Sequence, residues 1–168
     1  MTKFLVFGLV LGVFSLAGGS VQAAVDELKL KQTQKALIAD QRLVGNVAAQ
    51  AKREGVVVDV PQLFIYYGDT SPAYHLAGFR PTLVRELDMI IDARRMERSM
   101  VGLSRLLERA ETTDGSSVSV ADLPEADLYV VLYERAACEP CAVVRQTVQD
   151  WLADRPDMVF WITISLDK

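Results

Sequence analysis

Soft metal ligands are scarce in this chain. Its 168 residues contain two cysteines and one histidine, and a structural zinc site takes about four such ligands. There is no glycine-rich phosphate loop, no internal repeat and no basic block. The formal net charge is −4, and without a cationic stripe there is no electrostatic case for nucleic acid. Long apolar runs are missing as well, with one exception. "MTKFLVFGLVLGVFSLAGGSVQAAVDEL" opens with Lys3 and continues apolar from Phe4 to Ala17, shorter than the ~20 residues of a membrane-spanning helix. Small residues follow, and Val21-Gln22-Ala23 suits the small-x-small rule of signal peptidase. Residues 1–23 therefore read as a secretory signal peptide, and no cysteine stands near the cut to carry a lipid. Its removal takes away Lys3 and no acid, so the net charge goes from −4 to −5 and about 145 residues remain. That is enough for one domain with its own apolar core. The expectation is a periplasmic or secreted protein with no stable membrane span after cleavage, in a compartment where disulfides persist.

What is present begins with a helical pattern. Residues 24–56 read as an N-terminal helix: they are rich in helix formers, and Leu30, Leu37, Ile38, Val44, Val47 and Ala51 fall roughly on one side. Gly55 follows Lys52 and Arg53 as a stop. Residues 57–168 then read as the domain proper. In 57–93, the β-branched and aromatic run from Gln62 to Tyr67, the turn signal "GDTSP" and a return strand from Ala73 to Phe79 predict a β-hairpin. Pro81 suits the first turn of a helix, and Leu83, Leu87, Ile90 and Ile91 follow at helical spacing. Residues 94–127 read as helix and linker. The apolar stripe resumes in a new phase at Met96, Met100, Leu103 and Leu107, which predicts two helices or one with a bend, and "ETTDGSSVSVADLPEAD" is linker-like. In 128–168, "LYVVLY" is continuously apolar, as in a strand buried on both faces. A helix carrying Val144, Val148, Trp151 and Leu152 on one face follows, then Pro156 and the strand "MVFWITISL". Strand, helix, strand implies a parallel pair joined by a crossover helix.

Both cysteines, Cys138 and Cys141, sit in the turn between that first strand and its helix. Pro140 between them tolerates a first-turn position because it has no N–H to lose. At a helix start, unpaired N–H groups and the positive end of the dipole stabilise a thiolate, the reactive form of the thiol. On this reading Cys138 is the exposed attacker, and Cys141, one turn in, resolves the mixed disulfide. Three other readings stand beside it. A bridge across two residues closes a tiny loop and removes little unfolded-state entropy, which argues against a staple. A metal site would have to draw on a distant His75. Two idle thiols are the third. The location favours redox chemistry.

The stretch "YVVLYERAACEPCAVVRQTVQDWLADRPDMVFWITISLD" resembles the thioredoxin superfamily in its central strand, Cys-x-x-Cys turn, helix and following strand. "VPQLFIYYGDTSPAYHLAGFRPTLVRELDMIIDA", 60–93, resembles that family's other half, in which a cis-proline loop facing the cysteines opens a β-hairpin that leads into a helix. The two halves stand here in reversed order. The resemblance thus implies an α/β protein with a thioredoxin-like three-layer fold around a central mixed sheet, circularly permuted, plus the N-terminal helix. It implies Cys138 as nucleophile and Cys141 as resolving thiol, Glu139 and Pro140 as the active-site turn, and Val60 and Pro61 as the loop that presents backbone groups to substrate. The implied activity is that of an extracytoplasmic thiol–disulfide oxidoreductase acting on protein thiols and disulfides, with an envelope redox partner and no cofactor. Two positions depart from the family. Its aromatic residue before the first cysteine is Ala137 here, and its buried acid falls at Leu132. Glu139 places a negative charge beside Cys138 that opposes the thiolate, and Arg135 offsets it.

The remaining conspicuous residues invite structural readings. His75 is expected half-exposed on the return strand. Tyr66 and Tyr67 alternate across a strand, so one is expected to pack and the other to face water. Trp151 and Trp161 read as core, Met96 and Met100 as packing, and Arg94, Arg95 and Arg98 as a solvated helix face. A different class of function is also compatible with the sequence: a non-catalytic binding module of an envelope assembly such as a secretion or conjugation apparatus. Its inert Cys138–Cys141 bridge would accompany docking through the polar start of the N-terminal helix.

Overall fold

The computed structural model describes residues 27–33, 60–98 and 100–167. The expected signal peptide, 1–23, lies outside the described residues. These residues form one six-stranded mixed sheet with few helices. The elements in chain order are β1 (Glu27–Thr33), β2 (Gln62–Tyr67), β3 (Pro72–Ala77), α1 (Leu83–Leu87), α2 (Leu103–Leu107), β4 (Glu111–Thr112), β5 (Leu128–Glu134), α3 (Glu139–Ala153) and β6 (Val159–Asp167). Across the sheet they run β3-β2-β5-β6-β1-β4.

β5 occupies the interior of the sheet, antiparallel to β2 and parallel to β6. Its residues 128–133 are all buried, because both faces of the strand are covered. This is why the sequence there runs apolar without alternation. Alternate residues feed two cores. Leu128, Val130 and Leu132 pack with Leu63, Ile65, Trp161, α1 and α3. Tyr129, Val131 and Tyr133 pack on the opposite face with Phe64, Tyr66, Ile162, Ile164 and α2. The expected hairpin is β2–β3, with Leu63 opposite Leu76 and Ile65 opposite Tyr74. The expected parallel crossover is β5–α3–β6.

Five expectations need correction, the first being Met96, read as packing but 59% exposed while Met100 is buried. Residues 27–33, placed within the helix predicted over 24–56, are a β-strand; residues 24–26 and 34–56 lie outside the described residues. β1 runs parallel to β6, and its Leu28, Leu30 and Gln32 face the core while Glu27 and Lys29 are exposed. Leucine, lysine and glutamate are good helix formers, but here their alternation matches a period of two, and the exposed edge of β6 supplies the partner. Tyr66 and Tyr67 are both buried, since β2 is covered on both faces. Arg94, Arg95 and Arg98 are not on a helix. α1 loosens into a π-helical turn over Asp88–Asp92, and Arg94 adopts a left-handed φ of 46°. Finally, 111–127 is not a bare linker. It contains β4, a 3-10 turn at Val120–Asp122, and Val118, Val120, Leu123 and Ala126 laid over the core.

Among the described residues no helix is long and apolar enough to cross a membrane.

Candidate functional site

β5 ends at Glu134, and the chain turns through Arg135, Ala136 and Ala137 before α3 begins. Ala137 takes a left-handed φ of 56°, a conformation L-residues adopt sparingly, and this sharp turn delivers Cys138 to the N-cap of α3. Pro140 lies in the first turn of that helix, where its missing N–H costs nothing. The N–H of Cys141 donates to Cys138 Sγ at 3.2 Å, so the sulfur takes the capping role that a serine or aspartate oxygen usually fills. Cys138 and Cys141 are joined in a disulfide. Cys141 is 3% exposed whereas Cys138 is only partly buried, so the outer sulfur is the one a macromolecule can reach.

The other wall of the site comes from far away in sequence. Val60 and Pro61 precede β2, and their peptide bond is cis. The pairing of β2 with β5 places Gln62 opposite Tyr133 and carries the Val60 carbonyl oxygen to 4.0 Å from Cys138 Sγ. Val60 and Pro61 are buried, and Gly78 donates its N–H to the Pro61 carbonyl at 2.8 Å. The six residues singled out from the sequence, Val60, Pro61, Cys138, Glu139, Pro140 and Cys141, are therefore gathered at one end of the sheet, with Glu139 and Pro140 exposed.

Leu132, where the resemblance would place a buried acid, is fully buried among apolar side chains. The polar groups near this end lie elsewhere. Tyr133 donates to Gln32 Oε1 at 2.9 Å, inside the core. Arg145, four residues past Cys141 on α3, ties together Glu134 of β5 (3.0 Å), Glu27 of β1 (3.0 Å) and Thr163 of β6 (2.7 Å). Partial burial raises the Glu27 carboxyl, but hydrogen bonds from Thr163 and Arg145 outweigh it and hold the group below the usual carboxylate range. Sequence reasoning missed this network because its members come from four elements. The only local signal was Arg145 on an otherwise apolar-to-polar boundary of α3.

His75 is stacked on Phe64, ring centroids 4.3 Å apart, and bonds the buried Gln62 at 2.8 Å. Burial lowers its pKa to about 4, despite an opposing influence from Glu97. The imidazole is therefore neutral at physiological pH, and it serves as a lid on Phe64. A concavity of about 590 Å³ lies between α1 and the second half of α3, lined by Val84, Asp88, Thr147, Asp150 and Trp151. Most of its polar groups are already engaged: Trp151 Nε1 donates to Asp88, Gln146 Nε2 to Asp150, and Arg155, also in the lining, pairs with Asp92 and Asp157. Among the described residues no three His, Cys, Asp or Glu side chains are placed to hold a metal.

Comparison of the chain with protein-family models, with curated proteins and with solved structures finds no match in any of the three. A mixed α/β sheet with an adjacent cysteine pair is compatible with a thioredoxin-like fold.

Proposed function

We propose that this protein is an exported thiol–disulfide oxidoreductase acting on protein substrates, built on a circularly permuted thioredoxin-like domain. The observation that carries the reading is the contact of Cys138 Sγ with the Val60 carbonyl at 4.0 Å, across 78 residues of chain, at the leading end of a 15-residue helix. A structural staple within one turn has no need of a distant backbone loop. An exchange site does, because an extended substrate segment must be held beside the sulfur that it attacks.

In the reducing direction the Cys138 thiolate, stabilised by the Cys141 N–H and the helix start, attacks a substrate disulfide and releases one substrate thiolate. Cys141 loses its proton and attacks Cys138 Sγ. The mixed disulfide breaks, the second substrate thiolate leaves, and the Cys138–Cys141 bridge forms. Two electrons have passed to the substrate. In the oxidising direction a substrate thiolate attacks Cys138 and the steps reverse. Val60 and Pro61 offer backbone groups to the bound segment. An envelope dithiol–disulfide protein restores the starting state, and no diffusible cofactor takes part. With Leu132 in place of an acid, no carboxylate assists the Cys141 proton. Glu139 beside the attacker opposes the thiolate, so the couple is expected not to be strongly oxidising.

The test is insulin reduction and disulfide isomerisation by wild type and Cys138→Ser. Activity in the wild type that the variant loses supports the reading; equal, negligible turnover in both overturns it. The second reading, a non-catalytic module of an envelope assembly with an inert bridge, is favoured by Leu132 and Ala137, where the features that resemblance would supply for catalysis are missing.

A further inference from the structure

The end of the sheet opposite the cysteines carries a second feature. Residues 94–98, "RRMER", are all exposed, yet they are not a loose loop. Arg94 N–H donates to Ile91 O (3.0 Å), Arg95 N–H to Ile90 O (2.9 Å) and Glu97 N–H to Pro72 O (3.0 Å). Tyr67 donates its hydroxyl to Arg95 O at 2.8 Å, and the Arg94 guanidinium lies 5.2 Å above the Tyr67 ring. The backbone of the segment is thus pinned to the π turn after α1 and to both hairpin strands. The segment displays Met96, 59% exposed, seven residues after Met89, which is 49% exposed on the last turn of the preceding helix. The side chains of Arg95 and Arg98 have no hydrogen bond or ion pair among the described residues. Glu97, the one acid of the five, has an interaction of its own and acts electrostatically on His75. Arginine and methionine are the residue types enriched in the buried centre of protein interfaces, and methionine adapts its shape to a partner. A pinned segment loses little conformational freedom on docking.

We propose that Arg94, Arg95, Met96, Arg98 and Met89 form a docking surface for an acidic protein segment that also bears apolar side chains. The rest of the molecule selects for acid: the net charge is −4, so an acidic partner is repelled by most of the surface and drawn to this concentrated patch. The same end of the sheet also carries Asp69, Asp127 and Asp157, which precede β3, β5 and β6. Asp69 acts electrostatically on Arg94; a flat anionic bilayer would press against all three acids, whereas a narrow protein segment seated on Arg95, Met96 and Arg98 meets fewer of them. The surface is separated from Cys138 by the length of β5, about 20 Å for seven residues, so a partner held here leaves the cysteines open. The assignment holds whether or not the cysteines turn over substrate.

The methionine methyls report on it directly. The protein, labelled with ¹³C at its methionine methyl groups, is titrated with a soluble peptide of alternating glutamate and leucine, and separately with the lysine–leucine counterpart. The expected result is that the Met89 and Met96 signals move with the acidic peptide only. The buried Met100 should stay in place, and so should the exposed Met158, whose neighbour Arg155 is already paired with Asp92 and Asp157. The shift should shrink roughly 5-fold or more in the Arg95→Ser, Arg98→Ser double variant and at about 0.3 M salt. No shift, an equal shift at Met158, or a shift that survives the double substitution overturns the proposal. So does a response to phosphatidylglycerol vesicles without one to the peptide.

Discussion

The two halves that meet at the disulfide are built differently. The half from Leu128 to Asp167 is regular: a strand buried on both faces, a 15-residue helix and a second strand, joined by short turns. The half from Val60 to Arg98 is not. Its β2–β3 pairing shifts register near Tyr66, its helix loosens into a π turn after five residues, and its continuation is held both by bonds back to that turn and by bonds to the hairpin. The regular half places the cysteines by local rules alone, because an N-cap is set by its own first turn. The irregular half contributes Val60 and Pro61 only through its strand pairing with the regular one. On the proposed function, chemistry would reside in one half and presentation in the other, and the two roles should then separate under mutation.

The largest effect is expected in the regular half. Cys138→Ser should lower disulfide reduction by about 100-fold or more, to background, since it removes the nucleophile. Cys141→Ser should instead accumulate a mixed disulfide with substrate, visible as a covalent adduct on a non-reducing gel. If both variants behaved alike, the division of labour between an outer and an inner sulfur would fail. Next comes Leu87→Ala in the irregular half. Leu87 is fully buried against the sheet, and the substitution should cost about 2–5 kcal/mol in urea unfolding. If the cost falls well below that range, α1 is not anchoring the hairpin.

Gly68→Ala probes the turn between β2 and β3, where a Cβ would stand 2.4 Å from the Ala126 carbonyl oxygen. That oxygen belongs to the backbone leading into β5 and cannot swing aside. A loss of about 1–3 kcal/mol is expected, and an unchanged urea midpoint would mean that the two halves do not press on each other there. The smallest effect concerns His75. Its folded pKa, lowered to about 4 from a usual 6.5, means that the unfolded chain binds more protons between these values. Stability is intact above about pH 6.5 and falls as pH drops toward 4. The ring is partly open to water, so the slope should be slight. His75→Gln should flatten it in denaturation midpoints compared at pH 7 and pH 5; an unchanged slope would show that the Phe64 stack does not disfavour the charged ring.

The contrast between halves also governs what could be read in advance. The unbroken apolar run of β5, the one-sided face of α3 and the return strand β6 were legible because one element's period needs no knowledge of its neighbours. The hairpin was legible from its turn signal. β1 was misread as helix, since its leucines, lysines and glutamate are good helix formers and only the open edge of β6 makes a strand of them. The same holds for Tyr66 and Tyr67: alternation predicts one wet and one dry face, but β2 is covered on both. At the site, the six singled-out residues do lie together. The Arg145 network and the Tyr133–Gln32 bond were out of reach, because each joins groups from strands that only the finished sheet makes neighbours.

By itself the sequence determined where the two sulfurs sit, at the first turn of an amphipathic helix after a buried strand, because proline, capping geometry and apolar spacing act over a few residues. Only the tertiary structure decided what faces them. The pairing of β2 with β5 brings Val60 to Cys138, and the closing of α1 onto the hairpin holds Met96 and its arginines in water. Contacts between distant segments depend on which strand edges are left open once the rest has packed, and that depends on the whole chain at once.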